Sequence, residues 1–203
     1  MQRSSVFLSA LLLMLSWPPL RAEDAVKPGT AVATFAAGCY WCTESDFDKV
    51  KGVLDTTSGF MGGKTENPTY DEVSSGTTGH TEVVRVVYDP AIVTYQQLLD
   101  HYWVNVDPVD GTGQFCDRGS QYRPAIFVYN DEQKALAETS KKKLETSGQF
   151  KEPIAVQIAA HSAFTPAPDQ NFYKTNAIRY KFYRSGCGRD ARLKQLWGDK
   201  AGH

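Results

Sequence analysis

The chain has 203 residues, and its 22 Lys and Arg against 23 Asp and Glu give a formal net charge of -1. A balance this close to neutral excludes a strongly basic chain and gives no reason to expect nucleic acid or an anionic membrane as a partner. With 41% hydrophobic residues, the chain can bury a core of its own. No excess apolar stripe indicates a subunit interface, so we expect a monomer.

The first 22 residues have the layout of a secretory signal. Arg3 precedes an apolar run over residues 6–17, and two prolines and a small-residue cleavage site at Ala22 follow. The run is short for a membrane-spanning helix, although an uncleaved anchor is the alternative interpretation. The sequence thus predicts an exported protein, periplasmic or secreted, whose mature part is one domain over residues 23–203 and is not membrane-bound.

The first half of the mature chain alternates between strand and helix patterns. The predicted elements are a strand over 30–38, a helix over 39–52, a glycine-rich loop over 56–70, a strand over 81–90 and a helix over 94–105. This arrangement places Cys39 in the first turn of a helix. The strand over 81–90 is valine-rich on both faces and should be buried. The helix over 94–105 begins with a capping box from Thr94 to Gln97.

The second half continues the alternation and ends in a tail. The predicted elements are a loop over 107–122, a strand over 123–130, a helix over 131–148, a strand over 153–159, coil from residue 161 and a short helix over 189–197. The order of strands and helices favours an α/β fold, built as an α+β two-layer sandwich with a long C-terminal coil.

All four cysteines, Cys39, Cys42, Cys116 and Cys187, lie in the mature chain. An even number in an exported protein is typical of structural disulfides. A bridge between Cys39 and Cys42 would add little stability, because the stabilisation grows with the length of the closed loop. Structural zinc sites use two pairs of close ligands, which this spacing lacks, so we predict no metal. Redox chemistry at Cys39 remains, since a helix start favours a thiolate.

Cys187 and Glu82 are further candidates on residue chemistry alone. Glycine on both sides of Cys187 would let its thiol reach an oxidised Cys39, or Cys187 could be a surface cysteine paired with Cys116. Glu82 begins a buried strand on which Arg85 points to the opposite face, so its carboxyl could be desolvated and act as a general acid. From spacing alone, a solvated glutamate is the simpler interpretation.

Four motifs, GCYW, NPTYDEV, GTTGHTEVVRVVYDP and DRGSQYR, together resemble the A-type peptide methionine sulfoxide reductases from about Phe35 to the end of the chain. The resemblance implies a ferredoxin-like core and reduction of the S epimer of methionine sulfoxide, in proteins or free. It also implies residue roles. The nucleophile is Cys39, the proton donor Glu82 and the resolving thiol Cys187, while the substrate is held by Tyr40, Trp41, Tyr70, Asp117 and Tyr122.

The resemblance further implies how the thiols are used. Cys39 would become a sulfenic acid, condense with a second thiol to an intramolecular disulfide and be reset by an external thioredoxin-like dithiol, with no bound cofactor. The chain departs from the family at Cys42 and Cys116, where many members have Gly and Asn. Cys42 and Cys116 could form a structural bridge, or either could act as an additional redox group. The segment APDQNF, residues 167–172, also differs, so no role is implied for it.

Two alternatives follow from the same residues. A thioredoxin-like disulfide oxidoreductase would use Cys39 and Cys42 as its redox pair, because a Cys-x-x-Cys at a helix start is typical of that class. A non-enzymatic exported binding domain would instead keep all four thiols permanently paired around an aromatic groove. The state of the thiols separates the second alternative from both enzymes.

Overall fold

The structure, a computed structural model, describes residues 27–202. The predicted signal over residues 1–22 lies outside the described residues, and the division into signal and single domain stays a prediction. The strands are β1 (Ala31–Ala36), β2 (Val53–Met61), β3 (Thr81–Tyr88), β4 (Gly113–Gln114), β5 (Asp117–Arg118), β6 (Ala125–Val128), β7 (Gln157–Ala160) and β8 (Thr165–Pro166). The helices are α1 (Tyr40–Phe47), α2 (Tyr70–Ser74), α3 (Tyr95–Trp103), α4 (Asp131–Thr146), α5 (Phe172–Thr175), α6 (Ala177–Gly186) and α7 (Arg189–Trp197).

A six-stranded sheet in the order β7-β6-β1-β3-β2-β8 forms the centre of the fold. Its four middle strands, β6-β1-β3-β2, are mutually antiparallel and are connected as β-α-β-β-α-β through α1 and α3, which is the ferredoxin-like arrangement. β7 joins one edge in parallel, and β8 joins the other edge antiparallel. The α/β prediction with a ferredoxin-like core is thus confirmed. Between residues 27 and 202, no helix is long and apolar enough to cross a membrane.

The core lies between this sheet and the helices, and it is rich in aromatic rings. Phe35 of β1 stacks on Phe47 of α1 at 4.7 Å and on Tyr102 of α3 at 5.3 Å. The predicted capping box from Thr94 to Gln97 is present at the start of α3. Since α1 follows β1 directly, these contacts fix the β1–α1 turn, where Cys39 lies.

The glycine-rich loop predicted over residues 56–70 is wrong in its first part, because β2 runs to Met61. β2 pairs with β3 along nearly its whole length, and its threonines are β-branched residues that suit a pleated strand. Gly59 is present for close packing and not for a turn. A Cβ atom at Gly59 would come within 2.5 Å of the Thr165 carbonyl oxygen of β8.

The C-terminal part also differs from prediction. The helix over 189–197 is confirmed as α7, but residues 177–186 form a helix where coil was expected. α1 in turn ends at Phe47 instead of continuing to residue 52. The tail helices cover α1, whose polar residues are consequently buried: Asp46 binds Arg184 at 2.8 Å, and Arg189 lies 3.6 Å from it. These pairings form between parts of the chain about 140 residues apart, which local patterns cannot reveal.

Glu44, on α1, is a second polar group enclosed by the tail. Its side chain is 0% exposed, and its Oε2 accepts a hydrogen bond from the Asn171 backbone N–H at 2.9 Å. Burial raises the pKa of Glu44 to about 7. The neutral carboxyl is therefore favoured in the folded protein well above the pH at which it ionises in the unfolded chain.

We expect Glu44→Gln to remove part of the pH dependence of stability. Between pH 4.5 and 7 the folded state keeps a proton that the unfolded state releases, so rising pH destabilises the wild type. From pH 5 to pH 8 the wild type should lose about 2.5 kcal/mol of unfolding free energy relative to Glu44→Gln. Urea denaturation at both pH values measures this difference. Glu66→Gln, at an exposed glutamate, should follow the wild type, and parallel curves for all three proteins would contradict the expectation.

Candidate active site

A pocket of about 230 Å³ opens where the β1–α1 turn, α2, β3, β5 and α6 meet. It is lined by Cys39, Tyr40, Trp41, Tyr70, Glu82, Asp117, Tyr122, Arg179 and Tyr183. The structure thus brings together seven of the ten residues selected from the sequence. The remaining three, Cys42, Cys116 and Cys187, lie outside the lining.

Cys39 is positioned by the sharp turn between β1 and α1. It is the N-cap residue of α1, and Gly38 before it has a φ of +84°, a conformation that glycine adopts without strain. A Cβ atom at Gly38 would come within 2.5 Å of Gln114 Cβ, so glycine is also required by packing. The Gln114 amide is itself fixed by three hydrogen bonds to the backbone of the 107–110 loop. The turn presents the Cys39 thiol to the pocket.

The Cys39 thiol is buried and has Cys42 as its neighbour. Burial raises the pKa of Cys39 well above the usual value of a thiol, and a hydrogen bond to Cys42 acts in the same direction. Burial therefore opposes the thiolate that the helix start favours at Cys39. The hydrogen bond from Cys39 lowers the pKa of Cys42, and the charges of Arg189 and Arg184 lower it further. Cys42 is the more acidic thiol of the pair.

Glu82 lies near the start of β3, and its carboxyl is buried in the pocket. Its side chain is 3% exposed, and Oε2 accepts a hydrogen bond from the Tyr40 backbone N–H at 2.9 Å. Burial raises the pKa of Glu82 well above its usual value, against the opposing effect of that hydrogen bond. Arg85 lies over the Phe164 ring on the other face of the strand. The buried carboxyl, and not the solvated glutamate, is what the structure shows.

One wall of the pocket is aromatic. Tyr40 and Trp41 pack edge to face at 6.5 Å, and Tyr183 packs edge to face on Trp41 at 5.4 Å. Phe172 stacks on Trp41 at 3.8 Å with the ring planes 10° apart. Asn171 before it has a φ of +53° and is held by Glu44. The altered APDQNF segment therefore supports the wall by placing Phe172 against Trp41.

Two tyrosines bring hydroxyl groups to the pocket from two different helical elements. Tyr70 is the first residue of α2, where Thr69 and Glu72 form a capping box. Tyr122 ends the short 3₁₀ turn Ser120–Tyr122. Burial raises the pKa of both phenols, so both remain hydrogen-bond donors at neutral pH.

Cys116 and Cys187 form a disulfide next to the pocket. Cys39 and Cys42 are free, which contradicts the alternative in which all four thiols are paired. The disulfide connects the β4–β5 turn to the residue that ends α6. It closes a loop of 71 residues, which stabilises the fold by about 4 kcal/mol. Cys116 is exposed, so this bridge is accessible to solvent while Cys39 and Cys42 are buried.

Asp117 connects the disulfide to the pocket. Its Oδ2 accepts a hydrogen bond from the Tyr183 hydroxyl at 2.5 Å and lies 3.9 Å from Cys187 Sγ. Tyr183 in turn contacts the Cys39 thiol. Cys116, Asp117 and Cys187 bring two sulfurs and a carboxylate within 4.8 Å of one another, a spacing that could hold a metal ion. Both sulfurs are bonded to each other, so they are not free as ligands.

Sequence reasoning missed Arg179 and Tyr183. They lie four residues apart and so share one face of α6, the helix that was expected to be coil. An i, i+4 pattern over residues 177–186, with Tyr180 and Arg184 facing inward, is the signal that would have found this helix.

A buried free cysteine and a buried carboxyl facing one aromatic pocket, with a solvent-accessible disulfide beside it, define a thiol-dependent oxidoreductase. Residues 31–201 match the family model described as peptide methionine sulfoxide reductase. This chain belongs to the peptide methionine sulfoxide reductase family, and it is an oxidoreductase of the A type, a peptide-methionine (S)-S-oxide reductase. The match leaves the thioredoxin-like alternative without support.

Relatives and solved structures agree with this membership. The chain is 52% identical to peptide methionine sulfoxide reductase MsrA of Bacillus licheniformis over 83% of this chain and 94% of the relative. Methionine sulfoxide reductase A of Corynebacterium diphtheriae is similar in structure, with a TM-score of 0.66 and 34% identity over 74% of this chain and 77% of that one. The reduced form of Mxr1 from Saccharomyces cerevisiae is also similar in structure, with a TM-score of 0.68. Its sequence identity is 27%, and the match covers 75% of this chain and 90% of Mxr1. Mxr1 has also been solved in complex with Trx2.

Proposed function

We propose that Cys39 reduces methionine sulfoxide as the nucleophile, with Glu82 as the proton donor. The observation that carries this proposal is the shared pocket, in which a buried thiol and a buried carboxyl with a raised pKa face the same aromatic wall. The aromatic rings of Tyr40, Trp41 and Tyr183 suit the methyl and methylene groups next to the sulfoxide sulfur.

The first step forms a bond between Cys39 Sγ and the sulfoxide sulfur. The sulfoxide oxygen takes a proton from Glu82, while the hydroxyls of Tyr70 and Tyr122 donate hydrogen bonds to it. The carboxylate that remains can accept the proton of the Cys39 thiol, so the step does not need a preformed thiolate. The oxygen passes to Cys39, the thioether leaves as methionine, and Cys39 is oxidised to a sulfenic acid.

Cys42 resolves the sulfenic acid in this proposal. Its thiol is the hydrogen-bonding neighbour of Cys39, and the charges of Arg189 and Arg184 favour the Cys42 thiolate that attacks the Cys39 sulfur. A Cys39–Cys42 disulfide forms, and the hydroxyl of the sulfenic acid leaves as water with one proton. This assignment differs from the expectation that Cys187 attacks Cys39 directly, because Cys187 is bonded to Cys116.

The Cys116–Cys187 pair then connects the buried thiols to the outside. In the reduced pair, the Cys187 thiolate attacks the Cys39–Cys42 disulfide, and Cys116 releases it by forming the bridge seen in the structure. Cys187 thus keeps a resolving role, one exchange later than expected. An external thioredoxin-like dithiol reduces the exposed bridge, and the enzyme needs no bound cofactor. The reported complex of Mxr1 with Trx2 is consistent with such a reductant.

The cellular setting remains part of the proposal. The signal-like residues 1–22 support export to the periplasm or beyond, with cleavage near Ala22. The mature chain would act as a monomer on oxidised proteins or on free methionine sulfoxide.

The test is single turnover without an added reductant. Fully reduced protein is mixed with the S or the R epimer of N-acetyl-methionine sulfoxide, the methionine product is quantified, and the disulfides are mapped by mass spectrometry. We expect two methionines per chain from the S epimer and none from the R epimer. Each reduction takes two electrons, and the four thiols supply four electrons by forming the Cys39–Cys42 and Cys116–Cys187 bridges. The Cys116→Ser variant should form one methionine per chain. No product from either epimer would overturn the function, and a Cys39–Cys187 bridge with free Cys42 would overturn the assigned order of the thiols.

A further inference from the structure

Arg179 is the one cation among the residues that line the pocket. It lies on α6, one helical turn before Tyr183, and its side chain is exposed. Within residues 27–202 its guanidinium has no hydrogen bond or ion pair with another side chain or carbonyl. The other arginines of the tail are all engaged: Arg184 with Asp46 and Asp190, Arg189 with the carbonyls of Ala37 and Asn105, and Arg192 with Asp107.

The position of this guanidinium is set by an aromatic stack. It lies 5.6 Å from the centre of the Phe172 ring, and Phe172 stacks on Trp41 at 3.8 Å. A cation over an aromatic face is held by the ring quadrupole while its N–H groups stay free to bind another partner. Arg179 therefore sits at the open side of the pocket with its donors unused.

The charges in and beside the pocket leave Arg179 as the point of attraction for an anion. The carboxyls of the lining are Glu82 and Asp117, and burial raises the pKa of both, which favours their neutral forms. Asp169 lies close enough for its charge to act on Glu82, and it would repel an anion, so attraction is confined to Arg179. The buried Nε1 of Trp41 is also without a hydrogen-bond partner in the described part of the chain, so the same wall offers a second unused donor.

We propose that Arg179 forms a carboxylate subsite at the mouth of the pocket and makes this enzyme select anionic methionine sulfoxide substrates. The inference rests on the proposed function. With the sulfoxide at Cys39, the main-chain end of the substrate lies toward the open side of the pocket. The bound group is an α-carboxylate, of the free amino acid or of a C-terminal methionine sulfoxide, or it is the side chain of a neighbouring Asp or Glu. An arginine binds either through two parallel N–H···O bonds.

The experiment compares two substrates that differ only in charge. These are N-acetyl-methionine S-sulfoxide, which has a carboxylate, and its N-methylamide, which does not. Arg179→Gln should lower kcat/KM for the carboxylate about tenfold, through KM, and leave the methylamide within about twofold. Arg179→Lys should lower kcat/KM for the carboxylate substrate less than Arg179→Gln does. Lys181→Gln removes the same charge from an exposed position of α6 outside the pocket lining and should change neither substrate.

Peptides identify the source of the carboxylate. N-acetyl-Met(O)-Asp-amide and N-acetyl-Met(O)-Asn-amide are assayed with the same variants. If Arg179→Gln lowers kcat/KM for the Asp peptide and not for the Asn peptide, Arg179 binds the carboxylate of a neighbouring side chain. If kcat/KM falls only for N-acetyl-methionine S-sulfoxide, Arg179 binds the α-carboxylate. Both outcomes support the subsite. An equal loss on the charged substrate and the methylamide would overturn it in favour of support for Phe172, and no loss on any substrate would also overturn it. If the wild type reduces none of these compounds, the proposed function itself has failed.

Discussion

Cys39→Ser should abolish methionine formation, with a loss on the order of 10⁴-fold or more in the single-turnover rate. A serine hydroxyl in the same buried position is a far weaker nucleophile than a thiol, and it cannot form the sulfenic acid on which the later steps depend. The rest of the pocket should be unchanged, because the turn is fixed by Gly38 and Gln114. Rapid mixing with the S epimer, followed by chromatography of the products, measures the loss.

Cys42→Ser is the matched control, three residues further along the same helix. It should form methionine in a single turnover at a rate similar to that of the wild type, because Cys42 acts after the oxygen has been transferred. Its turnover with an external dithiol should fall. A Cys39→Ser protein that still produces methionine would refute Cys39 as the nucleophile. A Cys42→Ser protein with no first turnover would instead return the pair to dithiol chemistry of the thioredoxin kind.

Glu82→Gln should slow the single-turnover rate about a hundred- to a thousandfold. Glutamine has the same shape and can still accept the hydrogen bond from the Tyr40 N–H, so substrate affinity should change little. What is lost is the proton for the sulfoxide oxygen. Burial raises the pKa of Glu82, so the wild-type acid is available below that raised pKa and is lost as pH rises through it.

The pH profile separates this role from a structural one. The wild-type rate should fall on the alkaline side as Glu82 ionises, and Glu82→Gln should lack this fall. Glu82→Asp keeps an acid with a shorter reach, and it should recover part of the rate together with the alkaline fall. A Glu82→Gln protein with the wild-type rate and an unaltered pH profile would show that the proton comes from another group.

The ferredoxin-like core follows largely from local information. The valine-rich pattern of β3 and the capping box of α3 define their elements without reference to the rest of the chain. β2, in contrast, could not be predicted from its own residues. Its glycine and threonine residues resemble a loop, and they form a strand because β3 on one side and β8 on the other provide hydrogen bonds.

The pocket shows the same division. The turn that carries Cys39 follows from local residues, since Gly38 and Cys39 stand at a strand-to-helix junction. The resemblance of the motifs supplied Glu82, Tyr70, Asp117 and Tyr122. These side chains come from separate elements of the fold, and their roles in the reaction stay predictions. Their burial and pKa shifts come from the fold, because desolvation depends on every element packed around a group.

The pairing of the thiols and the contribution of the tail depend on contacts between distant parts of the chain. Four cysteines allow three complete pairings, and spacing does not choose among them. The bridge between Cys116 and Cys187 exists because α6 ends beside the β4–β5 turn. Arg179 and Tyr183 likewise reach the pocket because α6 packs over α1, through ion pairs to Asp46 that join residues far apart in the chain. Contacts at such separation leave no periodic signal in the sequence, so only the folded chain reveals them.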